Sequence, residues 1–325
     1  MTAQQMRSPT PEGIALAAAK IADLLPNTPL LEAEVNGTLV WFKAENLQPV
    51  GAFKIRGAWH RLTDLSDEER ARGVVGVSSG NHAQGVAWAA QRLGIAATIV
   101  MPADAPQVKL DATRALGANV VVYDRPGGED RDAVAQRLVD QSGATLVHAF
   151  ADAWVIEGQG TTGTEITAQL AARGHGAPTR LICPCGGGGL TAGLALACPD
   201  AEIVPVEPEG WDDVRLSLEA GEIIGVLDPK HPTACDALQT PATRPINFAV
   251  LKGRVPRGLM VTAAEVRAAQ RWAFSKLHLV VEPGGAAALA AVLAGTAAVD
   301  GRTVVILSGG NTDAADFAKV LSSGD

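Results

Sequence analysis

The sequence predicts an α/β protein of two lobes, each with a mainly parallel sheet flanked by helices. Three observations carry this expectation. Short runs rich in β-branched residues alternate with longer helical runs along most of the chain, the pattern of a parallel sheet covered on both faces. The 325 residues are enough for roughly two domains. The third observation is the run Gly186-Gly187-Gly188-Gly189, which closes an apolar stretch, Leu181 to Cys185, and opens a helical one, Leu190 to Ala197. A loop squeezed between a buried strand and a helix is seldom idle.

The first series of elements reads as strands at 74–77, 97–100, 120–123 and 145–147, with helices at 81–93, 108–116 and 130–141 between them. These make one compact lobe, 73–150. A second series follows, with strands near 181–185, 203–206, 279–281 and 304–307 and helices at 163–173, 263–276 and 285–294. Together with the N-terminal segment it makes a larger lobe, 1–72 and 151–325. Ligands in such sheets sit at the carboxyl ends of the strands, and the motifs below are all expected there.

Composition removes several function classes. With 27 Lys and Arg against 35 Asp and Glu the formal charge is −8, and no basic block occurs anywhere. An acidic, evenly mixed surface argues against nucleic acid and against anionic membrane as partners. Residues 1–10 contain no apolar signal-like core, and the most apolar later stretch, 284–299, is Ala/Gly-rich and short for a bilayer span. A soluble, cytoplasmic protein is expected. Cys183, Cys185, Cys198 and Cys235 lack metal-ligand spacing and read as buried small residues.

Consecutive glycines let backbone N–H groups converge on one point, and the helix that follows adds its positive end. Gly186 to Gly189 therefore read as an anion cradle, with phosphate the anion of choice. A nucleotide-hydrolysing loop needs Gly-Lys-Ser/Thr here, and Leu190-Thr191-Ala192 follows instead. A dinucleotide-binding dehydrogenase remains an alternative, since Gly187, Gly189 and Gly193 approximate its glycine spacing and Glu207 stands where a ribose ligand is needed. Gly158-Gln159-Gly160-Thr161-Thr162-Gly163 also spells GxGxxG, but no strand enters it.

Lys54 lies in a small, apolar segment, Pro49 to Ala58, that leads into a helix. Desolvation lowers an ammonium pKa, and the neutral amine is the form that condenses with an aldehyde. A solvated lysine at a helix start is the competing reading. Beside a phosphate cradle, the reactive amine points to pyridoxal phosphate. In Val77-Ser78-Ser79-Gly80-Asn81-His82 a strand ends just as a helix begins, so free N–H groups there suit a carboxylate and Asn81 suits an oxygen on the cofactor ring. Ordinary capping by Ser79 or Asn81 is the alternative.

The segments GAFKIRGA, SSGNHAQG, GQGTTG, CGGGGLTAG, EPGGA and LSGGN appear in the order found in fold-type II pyridoxal-phosphate enzymes, and the chain resembles the serine/threonine dehydratase and serine racemase group from about Leu30 to Asp313. The resemblance implies a tryptophan synthase β-like architecture, with 73–150 as a small mobile domain, 1–72 and 151–325 as the cofactor-binding one, and a homodimer. It implies that Lys54 carries the cofactor as a Schiff base and moves the proton on one face, with Phe53 against the ring. It places Asn81 at the ring oxygen, Gly186, Gly187, Gly188 and Gly189 at the phosphate, and Ser308 at the pyridine nitrogen. Ser79, Asn81 and His82 would surround the substrate carboxylate, with Ser79 as the second catalytic group in a racemase. Arg131 matches an arginine at the active-site mouth that could hold a side-chain carboxylate, as in 3-hydroxyaspartate. Glu207, the Trp211 carbonyl and Asp213 match a divalent-cation loop whose hard oxygens suit Mg²⁺ or Ca²⁺.

Departures from the group's pattern border the substrate pocket: Ala52 beside the lysine, Ala149 after His148, and Gly284-Gly285 after Glu282-Pro283. The expected reaction is dehydration of L-serine or L-threonine to a 2-oxo acid and ammonia. Serine racemisation and 3-hydroxyaspartate dehydration on the same scaffold are the alternatives. No regulatory domain is expected after Asp325.

Overall fold

The structure, a computed structural model, describes residues 7–78, 80–105, 107–228 and 231–322. Helix α1 (Pro11–Ile21) is started by Thr10, whose side chain accepts the Gly13 N–H, and by a proline at its first position. Strands β1 (Leu30–Val35) and β2 (Thr38–Ala44) form a hairpin whose turn residues Asn36 and Gly37 both have positive φ, 51° and 79°. That turn matches the natural twist of an antiparallel pair.

Helices α2 (Lys54–Thr63) and α3 (Asp67–Arg72) lead into a first alternating series: β3 (Val74–Val77), α4 (Asn81–Leu93), β4 (Ala97–Pro102), α5 (Gln107–Ala115), β5 (Asn119–Tyr123), α6 (Arg131–Ser142) and β6 (Thr145–Val147). Helix α7 (Ala153–Ala172) then opens a second: β7 (Arg180–Pro184), α8 (Gly189–Ala197), β8 (Glu202–Pro208), α9 (Asp213–Ala220), α10 (Pro245–Leu251), β9 (Leu259–Val261), α11 (Ala263–Trp272), α12 (Pro283–Leu293), β10 (Thr303–Leu307) and α13 (Ala314–Ser322). The strands assemble into two sheets, a four-stranded one in the order β5-β4-β3-β6 and a six-stranded one in the order β1-β2-β10-β7-β8-β9. Every pairing of these strands among the described residues is parallel except β1 with β2. This is the two-sheet α/β architecture that the sequence predicts.

The apolar stretch after Gly284 is α12, buried from Gly284 to Val292 in the core of the larger sheet. No helix among the described residues is long and apolar enough to cross a membrane. All four cysteines are buried and free.

Two expectations require correction. Residues 279–281 form no strand. Leu279 and Val281 are buried and Val280 is exposed, the alternation that suggests one, but the backbone there is satisfied from elsewhere: Asn46 Nδ2 donates to the Val280 carbonyl at 3.0 Å and Gln270 Nε2 to that of Val281 at 2.8 Å. The edge of the large sheet is instead β9, paired to β8 through Val206 with Leu259 and Pro208 with Val261. The second concerns the helix expected at 163–173, which begins at Ala153 and takes in GQGTTG, the motif that no strand enters. A Cβ on Gly158 would stand 2.5 Å from the Gly57 Cα, and one on Gly160 2.9 Å from the Gly193 carbonyl oxygen. These glycines let α7 cross α2 and α8 at backbone contact, a packing role rather than a binding one.

Candidate active site

Lys54 is the first residue of α2, and three features fix where it begins. The Phe53 N–H donates to the Ser308 carbonyl at 3.1 Å, and Ala52 bridges to Gly309, so the entry to the helix is tied to the end of β10. Arg56, fully buried, makes a bidentate pair with Glu45 at 2.8 Å for each bond and reaches Glu165 at 2.6 Å, anchoring α2 to the segment after β2 and to α7. Gly85 of α4 leaves no room for a side chain, since its Cβ would meet the Lys54 backbone at 3.2 Å. A buried bidentate arginine pair gives geometric specificity as well as energy.

The Lys54 ammonium projects into a cleft between the two sheets, where Nζ donates to the Ala149 carbonyl at 2.8 Å. Burial lowers its pKa to about 8, against the small opposing influence of Cys185. The Phe53 ring lies 5.1 Å from Nζ. The cleft is also lined by Asn81, His82, Arg131, His148, Gly186 to Gly189 and Ser308. It thus brings together every described residue that the sequence reading placed at cofactor or substrate; Ser79 lies outside the described residues.

The glycine run connects β7 to α8, with Gly188 in the left-handed region at φ 84° as the residue before the helix. At Gly187 and Gly189 the space that side chains would take is filled by Phe150, whose ring atoms would stand 2.3 Å from a Cβ on Gly187. Phe150 is held in turn by Asn247, whose Nδ2 donates to its carbonyl at 2.9 Å, while Thr243 Oγ1 donates to the Gly187 carbonyl at 3.1 Å. The result is a bare helix N-terminus facing the cleft, with no side chain capping it.

Asn81 opens α4 after Gly80, and α4 likewise has no side-chain cap. Its Nδ2 donates to Glu282, and its Oδ1 accepts from Asn311 Nδ2 at 2.9 Å. Burial raises Glu282 to about 7, countered by Lys109. Lys109 donates to Asp236 at 2.6 Å and lies 3.6 Å from Glu282, so one buried network ties α4 and α5 to the larger sheet's loops. Glu282 opens the EPGGA segment, but no local pattern marks Lys109 or Asp236, because each finds its partner in a distant part of the chain; they lie 127 residues apart.

His82 donates through Nε2 to the Val147 carbonyl at 3.0 Å, and burial together with the Lys54 ammonium pushes its pKa to about 3. It is a neutral strut, so any attraction for a carboxylate at this end of α4 comes from the helix N–H groups. Arg131, the first residue of α6, is 31 % exposed at the cleft's mouth, 3.6 Å from Asp132.

Glu207, Trp211 and Asp213 do not line this cleft. Both Glu207 oxygens accept backbone N–H bonds, from Val214 at 3.0 Å and Arg215 at 2.7 Å. Asp213 accepts the Thr243 N–H at 2.6 Å through one oxygen, while its other oxygen is buried without a partner. Burial and mutual repulsion raise Glu207 far above the carboxylate range, and burial raises Asp213 to about 7. A fully buried Glu207 facing the start of α9 cannot hold a ribose in the cleft, and the dinucleotide reading loses its best support. Among the described residues no group of three or more His, Cys, Asp or Glu side chains is placed to hold a metal.

The family model for pyridoxal-phosphate dependent enzymes matches residues 21–309. The chain belongs to this family. It is 36 % identical to the L-threo-3-hydroxyaspartate ammonia-lyase of Saccharomyces cerevisiae over 97 % of both chains. It is also 36 % identical to the serine racemase of Schizosaccharomyces pombe, over 97 % of this chain and 98 % of that one. Among solved structures, the maize serine racemase superposes with a TM-score of 0.89 at 33 % identity, covering 96 % of this chain and 97 % of the other. A threonine deaminase structure superposes with a TM-score of 0.86 at 41 % identity, covering 94 % of this chain and 99 % of the other. The protein is therefore an enzyme of the pyridoxal-phosphate dependent ammonia-lyase and racemase group. The cleft fits that cofactor on its own terms: a run of four glycines ending in an uncapped helix N-terminus, a lysine with a depressed pKa and a hydroxyl, Ser308, at the end of a central strand.

Proposed function

We propose that the protein is an ammonia-lyase that dehydrates a small 3-hydroxy amino acid, L-serine or L-threonine, to a 2-oxo acid and ammonia. The observation that carries this reading is the Lys54 amine, depressed to about 8, in a cleft shared by the bare N-termini of α8 and α4. When bound, pyridoxal phosphate supplies an electron sink for the substrate carbon that loses its proton. The amides of Gly186 to Gly189 hold the phosphate, and the start of α4 holds the substrate carboxylate. Phe53 would lie against the ring, and Asn81, fixed by Glu282 and Asn311, would offer its remaining hydrogen-bonding capacity to the ring oxygen. Ser308, which lines the cleft, would offer the ring nitrogen a hydroxyl rather than a carboxylate, a partner that would leave that nitrogen largely unprotonated and favour elimination. Lys54 takes the Cα proton.

The depressed pKa has a measurable sign. Capture of the aldehyde by the cofactor-free protein requires neutral amine, so its rate should climb about tenfold per pH unit below 8 and level off above it. A rate still climbing toward the ordinary lysine value of 10.5 would contradict the burial argument. The lyase reading itself is tested by assaying 2-oxo acid release from L-serine and L-threonine.

A second reading, dehydration of 3-hydroxyaspartate, is favoured by Arg131, whose guanidinium lines the cleft where a second carboxylate could be received. We also propose that Glu207, Asp213 and the Trp211 carbonyl hold a divalent cation. Two buried carboxylates that repel each other, with one oxygen unpartnered, have the chemistry such an ion satisfies. Mg²⁺ or Ca²⁺ added to chelator-treated protein should raise its melting temperature by several degrees through mass action. Asp213→Asn should abolish that rise. A chelator-treated, metal-free protein whose melting temperature ignores both ions would leave the pair without this role.

A further inference from the structure

We propose that His148 determines substrate specificity, its Nε2–H donating to the oxygen carried on the substrate's Cβ. The residue follows β6 and directly precedes Ala149, whose carbonyl receives Lys54. His148 Nδ1 accepts the Ala151 N–H at 2.9 Å and the Phe150 N–H at 3.3 Å. A nitrogen that accepts carries no proton, so the ring proton of the neutral imidazole sits on Nε2. That edge has no partner among the described residues, and the ring lines the cleft.

The tautomer is locked, since a proton on Nδ1 would point at two N–H groups. The surroundings add to this. Burial first, then the positive charge of Arg131 on α6 and the influence of His82 on α4, Arg244 ahead of α10 and Lys54 on α2, push His148 to about 3. Asp132, the nearby acid on α6, is occupied by Arg244 at 2.7 Å. The two cleft histidines thus differ in kind. His82 uses its N–H on the Val147 carbonyl, while His148 keeps its own for a ligand. An uncharged donor placed among Lys54, where Cα chemistry is proposed, and Arg131 suits the oxygen of a β-substituent. It holds that oxygen and does not protonate it, because giving up the proton would leave an imidazolate.

This inference rests on the lyase reading for the identity of the ligand. In holoenzyme, His148→Asn can keep an acceptor for the two backbone N–H groups, but its shorter side chain places no donor at the Nε2 position, whereas His148→Gln restores an amide donor toward that position. Binding is measured by rapid mixing before turnover. His148→Asn should weaken L-serine about fivefold to tenfold, leave L-alanine, which has no oxygen on Cβ, changed less than about twofold, and be largely rescued by His148→Gln. Nitrogen NMR on wild-type holoenzyme should show one imidazole, absent from both variants, as a neutral Nε2–H tautomer that does not titrate between about pH 6 and about pH 9. Equal weakening of L-serine and L-alanine, or titration of that ring within the window, would overturn the proposal. If wild-type enzyme releases no 2-oxo acid from any 3-hydroxy amino acid, the lyase reading fails; the serine-to-alanine binding ratio and the NMR signal still decide the role of His148.

Discussion

Replacing Lys54 with alanine is expected to lower turnover by about 10⁴-fold or more while leaving the fold intact. The reason is local. Lys54 provides the cleft's amine, and its ammonium makes one hydrogen bond, to the Ala149 carbonyl, in a site where burial already disfavours the charge. Removing a desolvated cation relieves that cost, so the melting temperature should hold or rise. Cofactor should still bind through the glycine cradle, but borohydride should no longer fix it covalently. Peptide mapping after reduction reads this directly: the wild-type adduct should map to Lys54. An adduct in the Lys54→Ala protein on another buried lysine, Lys43 or Lys109, would show that the reactive amine had been misplaced.

Gly187→Ala should be nearly as damaging by a different route. Its new Cβ would stand 2.3 Å from two Phe150 ring atoms, closer than real carbon contacts. Phe150 is buried, and its carbonyl is held by Asn247, so the ring has little freedom to retreat. Overpacking of this kind costs about 1 to 3 kcal/mol, which is roughly 5- to 150-fold in an equilibrium. We expect cofactor affinity to fall by that factor in equilibrium dialysis, because whichever group moves, the loop or the ring, the converging amides are disturbed. Adding Phe150→Ala should restore part of the affinity by vacating the space. Wild-type affinity in the single variant would mean that the amides of Gly187 do not face the phosphate.

The chemistry-bearing residues are legible because they are spelled locally. Four glycines between a strand and a helix announce a cradle, and a lysine among small apolar residues announces a depressed amine. The whole first series is equally legible, since each strand and helix from Val74 to Val147 carries its own period. Other features depend on distant partners. The 279–281 segment has a strand's alternation, yet Asn46 and Gln270 take its carbonyls, so pattern alone cannot tell it from β9. GQGTTG spells a binding motif that no strand enters, and only the packing of Gly57 and Gly193 against it gives its glycines a reason. The hairpin of β1 and β2 is missing from the sequence expectations although Asn36-Gly37 marks it, a strong short-range signal for such a turn. His148 gives no sign at all, because its tautomer is set by the N–H groups of Phe150 and Ala151, which only the folded turn aims at Nδ1.

The central claim is that the chain eliminates water from a 3-hydroxy amino acid, with Lys54 removing the proton. The most direct measurement incubates the holoenzyme with L-serine, L-threonine and L-threo-3-hydroxyaspartate in deuterium oxide, quantifying ammonia, 2-oxo acid and the enantiomers that remain. Ammonia and 2-oxo acid are expected in equal amounts from at least one substrate, with the unreacted amino acid retaining its L configuration at Cα. Accumulation of D or diastereomeric amino acid with deuterium at Cα and no 2-oxo acid would contradict the claim.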